Sequence, residues 1–515
     1  MYRILTASKD NYITNKIINN KFRVTDANVG QAATLDIFKL YAESVTGSND
    51  SPIELSRALV AFDLNPLRQM TGSTLDIDHA SFKCTLRLFD VYGGQTTPSN
   101  FKIIVFPLSQ SFDEGVGRDV VKFQDLDASN YITSSVSGDT AVAWFNSGAN
   151  KQGLLGSDDI DVISSGTITG KGSEGVVNLW KSQIFSTGEE DLSIDVTTIV
   201  SATLKNILPD CGFRISYSGS QETDSKSRFV KRFGSTQGSD YTKRPRLEVV
   251  YNDATQDHHR SFFFDISGSL FLNNFHRGLP ANTLTETNGK FYGLSGSNCM
   301  HLILRSGSVA RGTYFTKTIT ASQHAIGSNY VTGVYSASFL ISKYLTGTLR
   351  NEIKKAGSAS LTEIWSSLDE TVAYRTGSVV VNTVSRTSFN NESKRLLVNV
   401  TNMKSSYKQS IKVRFRVFVE DIDRPVRAKK VPFVTPSQIF TSMYYRVRDA
   451  ESNDIIIPFD TSGDGTVCST DTDGMYFDVY MDSLEKGRLY TIDFLIKDQG
   501  IDQVFTDVAS KFKVI

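Results

Sequence analysis

The chain has 515 residues, of which 39% are hydrophobic and 21% charged, and its 55 Lys and Arg residues balance its 55 Asp and Glu residues. At roughly 100–200 residues per domain, this length predicts about three domains with sizeable cores. A formal net charge of zero excludes the overall positive field that holds nucleic acid through counterion release, so we expect no nucleic-acid partner. The same neutrality permits close packing against other proteins or copies of the chain.

The N-terminal residues MYRILTASKDNYITNK lack the apolar core of a signal peptide. No run of about 18 apolar residues, the length that spans a bilayer, occurs in the sequence. We therefore expect no membrane insertion, and folding in the cytoplasm. The four cysteines, Cys84, Cys211, Cys299 and Cys468, lie far apart, which predicts free thiols and no disulfide framework.

Residues 1–252 show short apolar runs that alternate with polar residues between clusters of Gly, Asn, Asp and Ser. In Phe82–Phe89, the residues Phe82, Cys84, Leu86 and Leu88 share one face, the period-two pattern of a half-buried strand. Regular spacing of such runs predicts a β-sandwich of the jelly-roll type. The Ser/Gly-rich segment Phe123–Gly172 is predicted to loop over one end of it.

A linker at residues 252–257 precedes a second β-rich domain, predicted to cover residues 253–385, in which the one helical stretch is Leu349–Lys355. In the third predicted domain, residues 386–515, apolar residues alternate with basic ones along Ile411–Val419. A domain of this size built from such strands is most simply an immunoglobulin-like sandwich. The predicted fold class is therefore all-β, with tandem β-sandwiches that begin with a jelly roll and end with immunoglobulin-like domains.

The first predicted domain carries an ordered series of short motifs that resembles the DNRLRE-type β-sandwich domain of cell-surface and virion proteins. The matching segments are Lys9–Ile13, Asn28–Gly30 with Thr34–Phe38, Arg57–Leu64, Ala80–Leu88, Asp195–Val200 and Arg244–Tyr251. The chain departs from that family in its long Ser/Gly-rich middle and in lacking a secretion signal. The resemblance therefore implies a structural protein of a tailed-bacteriophage virion, located in its tail, baseplate, fibre or decoration, with other virion proteins and copies of itself as partners.

One loop has the oxygen-rich pattern of a calcium site. Asp460, Ser462 and Asp464 fit the first half of a D-x-S-x-D-G loop, and Asp471 falls at the twelfth position. An EF-hand would require flanking helices, whereas the flanking residues here have the pattern of strands. The alternatives are a calcium site in a β loop and a simple turn rich in Asp and Gly.

Two other segments could carry binding chemistry. The segment Asp257–Arg260 contains two adjacent histidines, which on an extended chain point to opposite sides and do not easily reach one metal ion. The run from Lys226 to Arg246 interleaves basic and aromatic residues, a pattern of some nucleic-acid sites. We interpret it as strands with their charges outward and their aromatic rings inward.

Trp144 lies in the Ser/Gly-rich segment and could provide a platform on which a host-surface glycan stacks; the alternative is packing in a core. This residue supports a second hypothesis, a receptor- or glycan-binding module. A third is a carbohydrate-active enzyme, since paired carboxylates occur in polar loops. No nucleophile elbow, zinc-protease helix or phosphate-binding glycine loop is present in the sequence, so we expect a protein that is not an enzyme.

Overall fold

A computed structural model describes the chain except for residues 20–21, 42–51, 73, 92–98, 123–124, 169–174, 227, 288, 309–312, 345–347, 384–393, 424–434 and 499. The chain divides into two compact units. We call Tyr2–Gln69 with Ile77–Val250 the N-terminal unit, and Met1, Met70–Asp76 and Tyr251–Ile515 the C-terminal unit. The chain is 49% strand and 7% helix, which confirms the mostly-β class.

The predicted boundary after residue 252 lies beside the observed division at Val250 and Tyr251. The second predicted boundary, at residue 385, falls outside the described residues. Residues 253–385 and 386–515 have separate sheets, yet both belong to the C-terminal unit. The sequence of the basic segment 424–430 (RPVRAKK) predicts a solvated turn or a protein contact, and this segment also lies outside the described residues.

Among its described residues, the N-terminal unit has short strands and three short α-helices. Its strands are β1 (Tyr2–Thr6), β2 (Lys9–Thr14), β3 (Ile17–Ile18), β4 (Phe22–Arg23), β5 (Thr34–Tyr41), β6 (Ile53–Ala61), β7 (Lys83–Leu88), β8 (Phe101–Pro107), β9 (Thr133–Ser137), β10 (Thr140–Ala143), β11 (Gln152–Leu154), β12 (Val162–Thr167), β13 (Val176–Asn178), β14 (Lys181–Phe185), β15 (Leu192–Asp195), β16 (Phe213–Tyr217), β17 (Arg228–Gly234) and β18 (Arg246–Val250). Its helices are α1 (Asn65–Arg68), α2 (Thr197–Leu204) and α3 (Gly219–Thr223).

Two main sheets organise this unit. One has the strand order β1-β18-β7-β15, and the other has the order β14-β8-β16-β6-β5-β17 with β2 paired to β6. The alternation predicted for Phe82–Phe89 is confirmed, because Cys84, Leu86 and Leu88 are buried on one face of β7. The Ser/Gly-rich segment is more structured than a loop: it contains β9 to β12, which form small sheets of their own with β13.

In the part of it that the structure describes, the C-terminal unit contains longer strands and one α-helix, α4 (Thr348–Ala356), which confirms the predicted helical stretch. Its strands are β19 (Phe262–Phe263), β20 (Gly268–Asn273), β21 (Phe275–His276), β22 (Leu279–Pro280), β23 (Leu284–Thr287), β24 (Lys290–Gly293), β25 (Met300–Ser308), β26 (Thr313–Ile326), β27 (Asn329–Phe339), β28 (Ser358–Ser366), β29 (Ala373–Asn382), β30 (Leu396–Val400), β31 (Ser406–Tyr407), β32 (Lys412–Asp421), β33 (Met443–Asp449), β34 (Ile455–Ile457), β35 (Ser469–Asp471), β36 (Gly474–Tyr480), β37 (Leu489–Asp498), β38 (Ile501–Phe505) and β39 (Phe512–Val514).

Three larger sheets carry this unit. The first, β19-β29-β28-β25-β26-β27-β20, packs on a core that includes Leu302, Trp365 and the base of α4 at Leu349. The other two have the orders β30-β32-β36-β35 and β31-β39-β37-β33-β34, with β38 paired to β37. Two separate hairpins, β21–β22 and β23–β24, stand outside all three sheets.

Four cysteines have free thiols, as predicted, with Cys84, Cys299 and Cys468 buried and Cys211 partly buried. Among the residues described, no helix has both the length and the apolar character needed to cross a bilayer.

Candidate interaction surface

The predicted calcium loop is closed by its own hydrogen bonds. Asp460 accepts N–H donors from Gly463 and Gly465, each at 3.0 Å, and the hydroxyl of Ser462 at 3.1 Å. Burial raises the pKa of Asp460, but the backbone N–H groups that bond to its carboxylate lower it by more, so its net pKa is lowered. Asp464 accepts a hydrogen bond of 3.3 Å from the Tyr444 hydroxyl.

Asp471, the fourth predicted calcium ligand, is bound elsewhere. Its two carboxylate oxygens lie 2.7 and 2.6 Å from Nη1 of Arg416, on strand β32 of the same sheet, with β36 between the two strands. No group of three or more His, Cys, Asp or Glu side chains is arranged to hold a metal ion in the part of the chain that the structure describes. Calcium binding stays a prediction, and the four residues proposed for it are engaged by protein groups.

Trp144 lies in a core. Its ring is 5% exposed, packs with Ile13, Leu59 and Phe106, and donates from Nε1 to the carbonyl of Asn130 at 2.9 Å. Stacking on a sugar would require this cluster to open, because a buried ring offers no free face. Glycan binding by Trp144 stays a prediction, and the structure provides the packing role that the sequence offered as its alternative.

The segment around Trp144 is anchored by what we call the arginine cluster, formed by Arg57, Glu222 and the carbonyl group of Gly148. The guanidinium of Arg57 donates to both carboxylate oxygens of Glu222, at 3.0 and 2.6 Å, and to the carbonyl of Gly148 at 2.6 Å. Burial lowers the pKa of Arg57, but the charge of Glu222 and its hydrogen bonds raise it by more. This buried, bidentate pair joins β6 to α3 and to a loop of the Ser/Gly-rich segment.

The two adjacent histidines face different partners. Nδ1 of His258 lies 3.3 Å from the carbonyl oxygen of Ser269, whereas His259 lies between Asp257 and Glu363, at 2.5 and 2.7 Å. We call these last three residues the histidine cluster. Burial lowers the pKa of His259, but the hydrogen bonds and charges of both carboxylates outweigh it and raise the pKa to about 9. His259 is therefore an imidazolium that holds the linker segment against β28.

The basic run from Lys226 to Arg246 corrects one expectation. Phe233 is buried, as predicted, but Lys231 lies on the same inner face and is also buried, so the prediction of outward charges is wrong for this residue. The ammonium of Lys231 is accommodated because it lies 2.5 Å from Asp90 and donates to the carbonyl of Gly188 at 2.8 Å. Arg232 pairs with Asp36 at 2.8 Å, so these two cations of the run bind carboxylates of the protein itself.

The sequence analysis did not predict the β23–β24 hairpin, residues 284–293. Its base is fixed by Tyr335, a fully buried residue whose hydroxyl accepts from the N–H of Thr283 and donates to the carbonyl of Leu294, each at 2.9 Å. Beyond that base the hairpin pairs with no further strand among the described residues. It is thus anchored at one end and open along both of its edges.

The open hairpin carries large apolar side chains on both faces. Leu284 (61% exposed) and Phe291 (69%) lie on one face, and Tyr292 (53%) lies on the other. The adjacent hairpin β21–β22 adds the exposed side chains of Phe275 and Leu279. Several large exposed apolar groups on one ordered element are typical of a binding surface, so this is the candidate interaction surface of the chain.

A local signal could have located this hairpin in the sequence. Asn288-Gly289 separates two short runs, Leu284–Thr287 and Lys290–Gly293, and this dipeptide favours a two-residue hairpin turn. Gly289 has φ of +73°, which glycine adopts without strain. What the sequence could not give is that both faces of the hairpin stay in water.

The C-terminal unit also has a cleft of about 330 Å³. On its wall the Arg414 guanidinium lies 4.0 Å from the ring centroid of Tyr476 and donates to Asp478 at 2.9 Å, and Lys412 pairs with Asp478 at 3.0 Å. Burial raises the pKa of Asp478, but the hydrogen bonds and charges of Arg414 and Lys412 lower it by more. The wall therefore combines an arginine stacked on a buried tyrosine ring with an ion pair.

No protein-family model and no curated protein matches the chain. Distant matches exist among solved structures. One is the D00-D0 domain of intimin, with 11% identity over 46% of this chain and 94% of that one, at a TM-score of 0.14. Another is the FN1–FN3 domains of chicken CNTN1, with 10% identity over 64% of this chain and 86% of that one, at a TM-score of 0.15. A third is Salmonella alpha-2-macroglobulin reacted with methylamine, with 7% identity over 100% of this chain and 28% of that one, at a TM-score of 0.14. Scores this low support no conclusion about fold or function.

Proposed function

We propose that the chain is a structural component of a tailed-bacteriophage virion that acts through protein–protein contacts and not through catalysis. Its partners would be other virion proteins and copies of itself, and it would fold in the host cytoplasm before assembly. The observation that carries the proposal is the open hairpin, which is fixed at its base by Tyr335 and exposes Leu284, Phe291 and Tyr292.

The exposed apolar side chains of the hairpin make it energetically favourable for a partner to cover this surface. Burying one Leu or Phe side chain contributes about 1.5–3 kcal/mol, so covering these side chains supplies a substantial part of an interface. A two-stranded hairpin with both faces in water is only marginally stable on its own. A partner that covers it would stabilise both the hairpin and the assembly.

We also propose the finer fold assignment, with a DNRLRE-like jelly roll in residues 1–252 and an immunoglobulin-like sandwich in residues 386–515. In residues 386–515, the ring of Phe477 on β36 stacks on that of Tyr445 on β33, with 4.4 Å between the ring centroids. It also meets the ring of Phe494 on β37 edge-on, with 5.7 Å between the centroids. These ring contacts join two different sheets, as the core of a two-layer sandwich does. For residues 1–252 the support is the ordered series of sequence motifs.

The test is incorporation into particles. In the virus whose genome encodes the chain, we expect mass spectrometry of purified particles to detect it in a fixed ratio to the other structural proteins. Leu284→Asp places a charge on the proposed interface and should reduce incorporation at least tenfold. Val504→Asp changes an equally exposed apolar residue outside the hairpin and should incorporate normally. Absence of the chain from purified particles would overturn the proposal.

A second proposal, a receptor- or glycan-binding module, is favoured by the cleft beside Arg414, Tyr476 and Asp478. The ring of Tyr476 is buried beside Arg414, so the support comes from the ion pair of Arg414 and Asp478, which offers hydrogen-bond donors and acceptors to sugar hydroxyl groups. Here Arg414→Ala should abolish binding to a glycan panel, whereas Leu284→Asp should leave it unchanged. Turnover of a polysaccharide by the unmodified protein would instead favour the third hypothesis, a carbohydrate-active enzyme.

A further inference from the structure

The outer edge of β24 has backbone groups that face away from its partner strand. Just beyond the strands, the N–H of Leu294 donates to the carbonyl of Thr283 at 2.8 Å. Hydrogen-bonded pairs alternate with non-hydrogen-bonded pairs along an antiparallel ladder, so the pair Thr285–Tyr292 is bonded and the pair Glu286–Phe291 is not. The N–H and C=O of Phe291 therefore point to the open edge.

We propose that this edge pairs with the same edge of a second copy of the chain, antiparallel and centred on Phe291. The inference deepens the proposed function, on which it depends, by naming the partner of the hairpin. Two hairpins would then form one four-stranded sheet, with β24 and its counterpart in the middle. Phe291 would donate to, and accept from, Phe291 of the other copy through the backbone.

The side chains of β24 fit this two-fold pairing. Centring on Phe291 sets the two Phe291 rings opposite each other on one face, and aromatic pairs across strands are stabilising. On the other face it sets Lys290 of each copy opposite Tyr292 of the other, which allows two cation–π contacts. Gly293, which follows Tyr292, adds no side chain that would crowd the ring of the opposite Phe291.

A second copy fits the edge better than an unrelated chain for two reasons. The two-fold register places no like charges opposite each other, because Lys290 meets Tyr292 and not itself. The chain has a formal net charge of zero, so two copies approach without overall repulsion. A two-fold contact of one surface with itself is also the commonest way in which identical chains associate.

Cysteine cross-linking of the full chain tests the register. In a Cys211→Ser background, the three remaining native thiols are buried. Opposite residues in a hydrogen-bonded antiparallel pair have Cα atoms about 5.5 Å apart, within the range of a disulfide. We expect Phe291→Cys to form a covalent dimer under mild oxidation, and light scattering of the unmodified chain to show a concentration-dependent doubling of mass.

Two matched controls distinguish this register from random collision. Tyr292→Cys is exposed on the same strand, but the two copies of residue 292 would lie roughly 8–9 Å apart, too far for a disulfide. Val504→Cys is as exposed as Tyr292 and lies on β38. Both should cross-link at least tenfold less than Phe291→Cys.

Equal cross-linking at the three positions, or a chain that stays monomeric at high concentration, would overturn the pairing. Such a result would leave the proposed function standing if Leu284→Asp still blocks incorporation, since the hairpin would then bind another virion protein. Conversely, a specific Phe291 cross-link in a chain absent from particles would keep the pairing and remove the virion role.

Discussion

A buried cation ties an irregular segment to the strands in each of the two units, but the chemistry of the cation differs. In the N-terminal unit, Arg57 binds both oxygens of Glu222 and the carbonyl of Gly148. In the C-terminal unit, His259 bridges Asp257 and Glu363. A guanidinium stays charged at every pH at which the protein is folded, whereas an imidazolium can lose its proton.

This difference in charge chemistry determines whether each cluster responds to pH. The arginine cluster is a permanent anchor for the loop at Gly148, which follows Trp144 in the chain. The histidine cluster is conditional, because the attraction between the linker and β28 depends on one proton. Its pKa of about 9 keeps that proton bound at neutral pH.

The largest effect should come from breaking the arginine cluster at Glu222. Glu222→Ala leaves the buried guanidinium of Arg57 without its carboxylate, and removing one partner of a buried pair costs about 3–5 kcal/mol. We expect the free energy of unfolding of the N-terminal unit, measured in urea, to fall by that amount. The matched control is Asp210→Ala, which removes the exposed partner of Arg68 in the same unit and should cost about 0–1 kcal/mol. Equal losses in the two variants would show that the buried pair is no anchor.

A smaller loss of stability is expected from a substitution at Gly148. It tests whether the close approach of this residue to Arg57 stabilises the loop. Gly148 has φ of +80°, and an added Cβ would lie 2.6 Å from Nη1 of Arg57 and 2.6 Å from the ring of Tyr131. Gly138 has φ of +62° and nothing within 4 Å of an added Cβ. Both alanine variants are strained, but Gly148→Ala should lose about 2 kcal/mol more in thermal or urea unfolding. Identical losses would mean that strain at positive φ, and not the contact with Arg57, governs the loop.

The smallest effect at neutral pH should come from His259→Gln, whose amide keeps a donor for one carboxylate but lacks the positive charge, and we expect it to cost about 1 kcal/mol. The folded pKa of about 9 exceeds the ordinary value of 6.5, so the folded state binds the extra proton between these values. The stabilisation is therefore complete below pH 6.5 and is lost as the pH rises through 9. The difference between the unmodified chain and His259→Gln should shrink over this window.

The fluorescence of Trp365 can follow that change locally, because its indole donates to Glu363 at 2.7 Å. The variants Trp144→Phe and Trp180→Phe remove the signal of the N-terminal unit. A difference in stability between the unmodified chain and His259→Gln that stays constant from pH 6 to 10 would contradict the assigned role of the histidine proton.

Much of the fold was predictable because it depends on neighbours in the sequence. Strand β32 is a clear case: Phe415, Val417 and Val419 are buried, in line with the alternation along Ile411–Val419. Helix α4 was predicted from its local pattern in the same way. The candidate surface was less predictable, since a hairpin can be recognised from Asn288-Gly289 but its exposure depends on whether other elements cover it.

The sequence by itself therefore determined that this is a mostly-β protein. Successive side chains of a strand point to opposite faces, so the alternation of apolar and polar residues along the sequence predicts which face is buried. Only the tertiary structure decided which charged residues are exposed to water and which are buried beside a partner. Arg57 and Glu222 are separated by 165 positions, and His259 and Glu363 by 104. Whether a charge faces water or a buried partner depends on which distant residue the fold brings beside it, and that is why Lys231 is buried in a run expected to face outward.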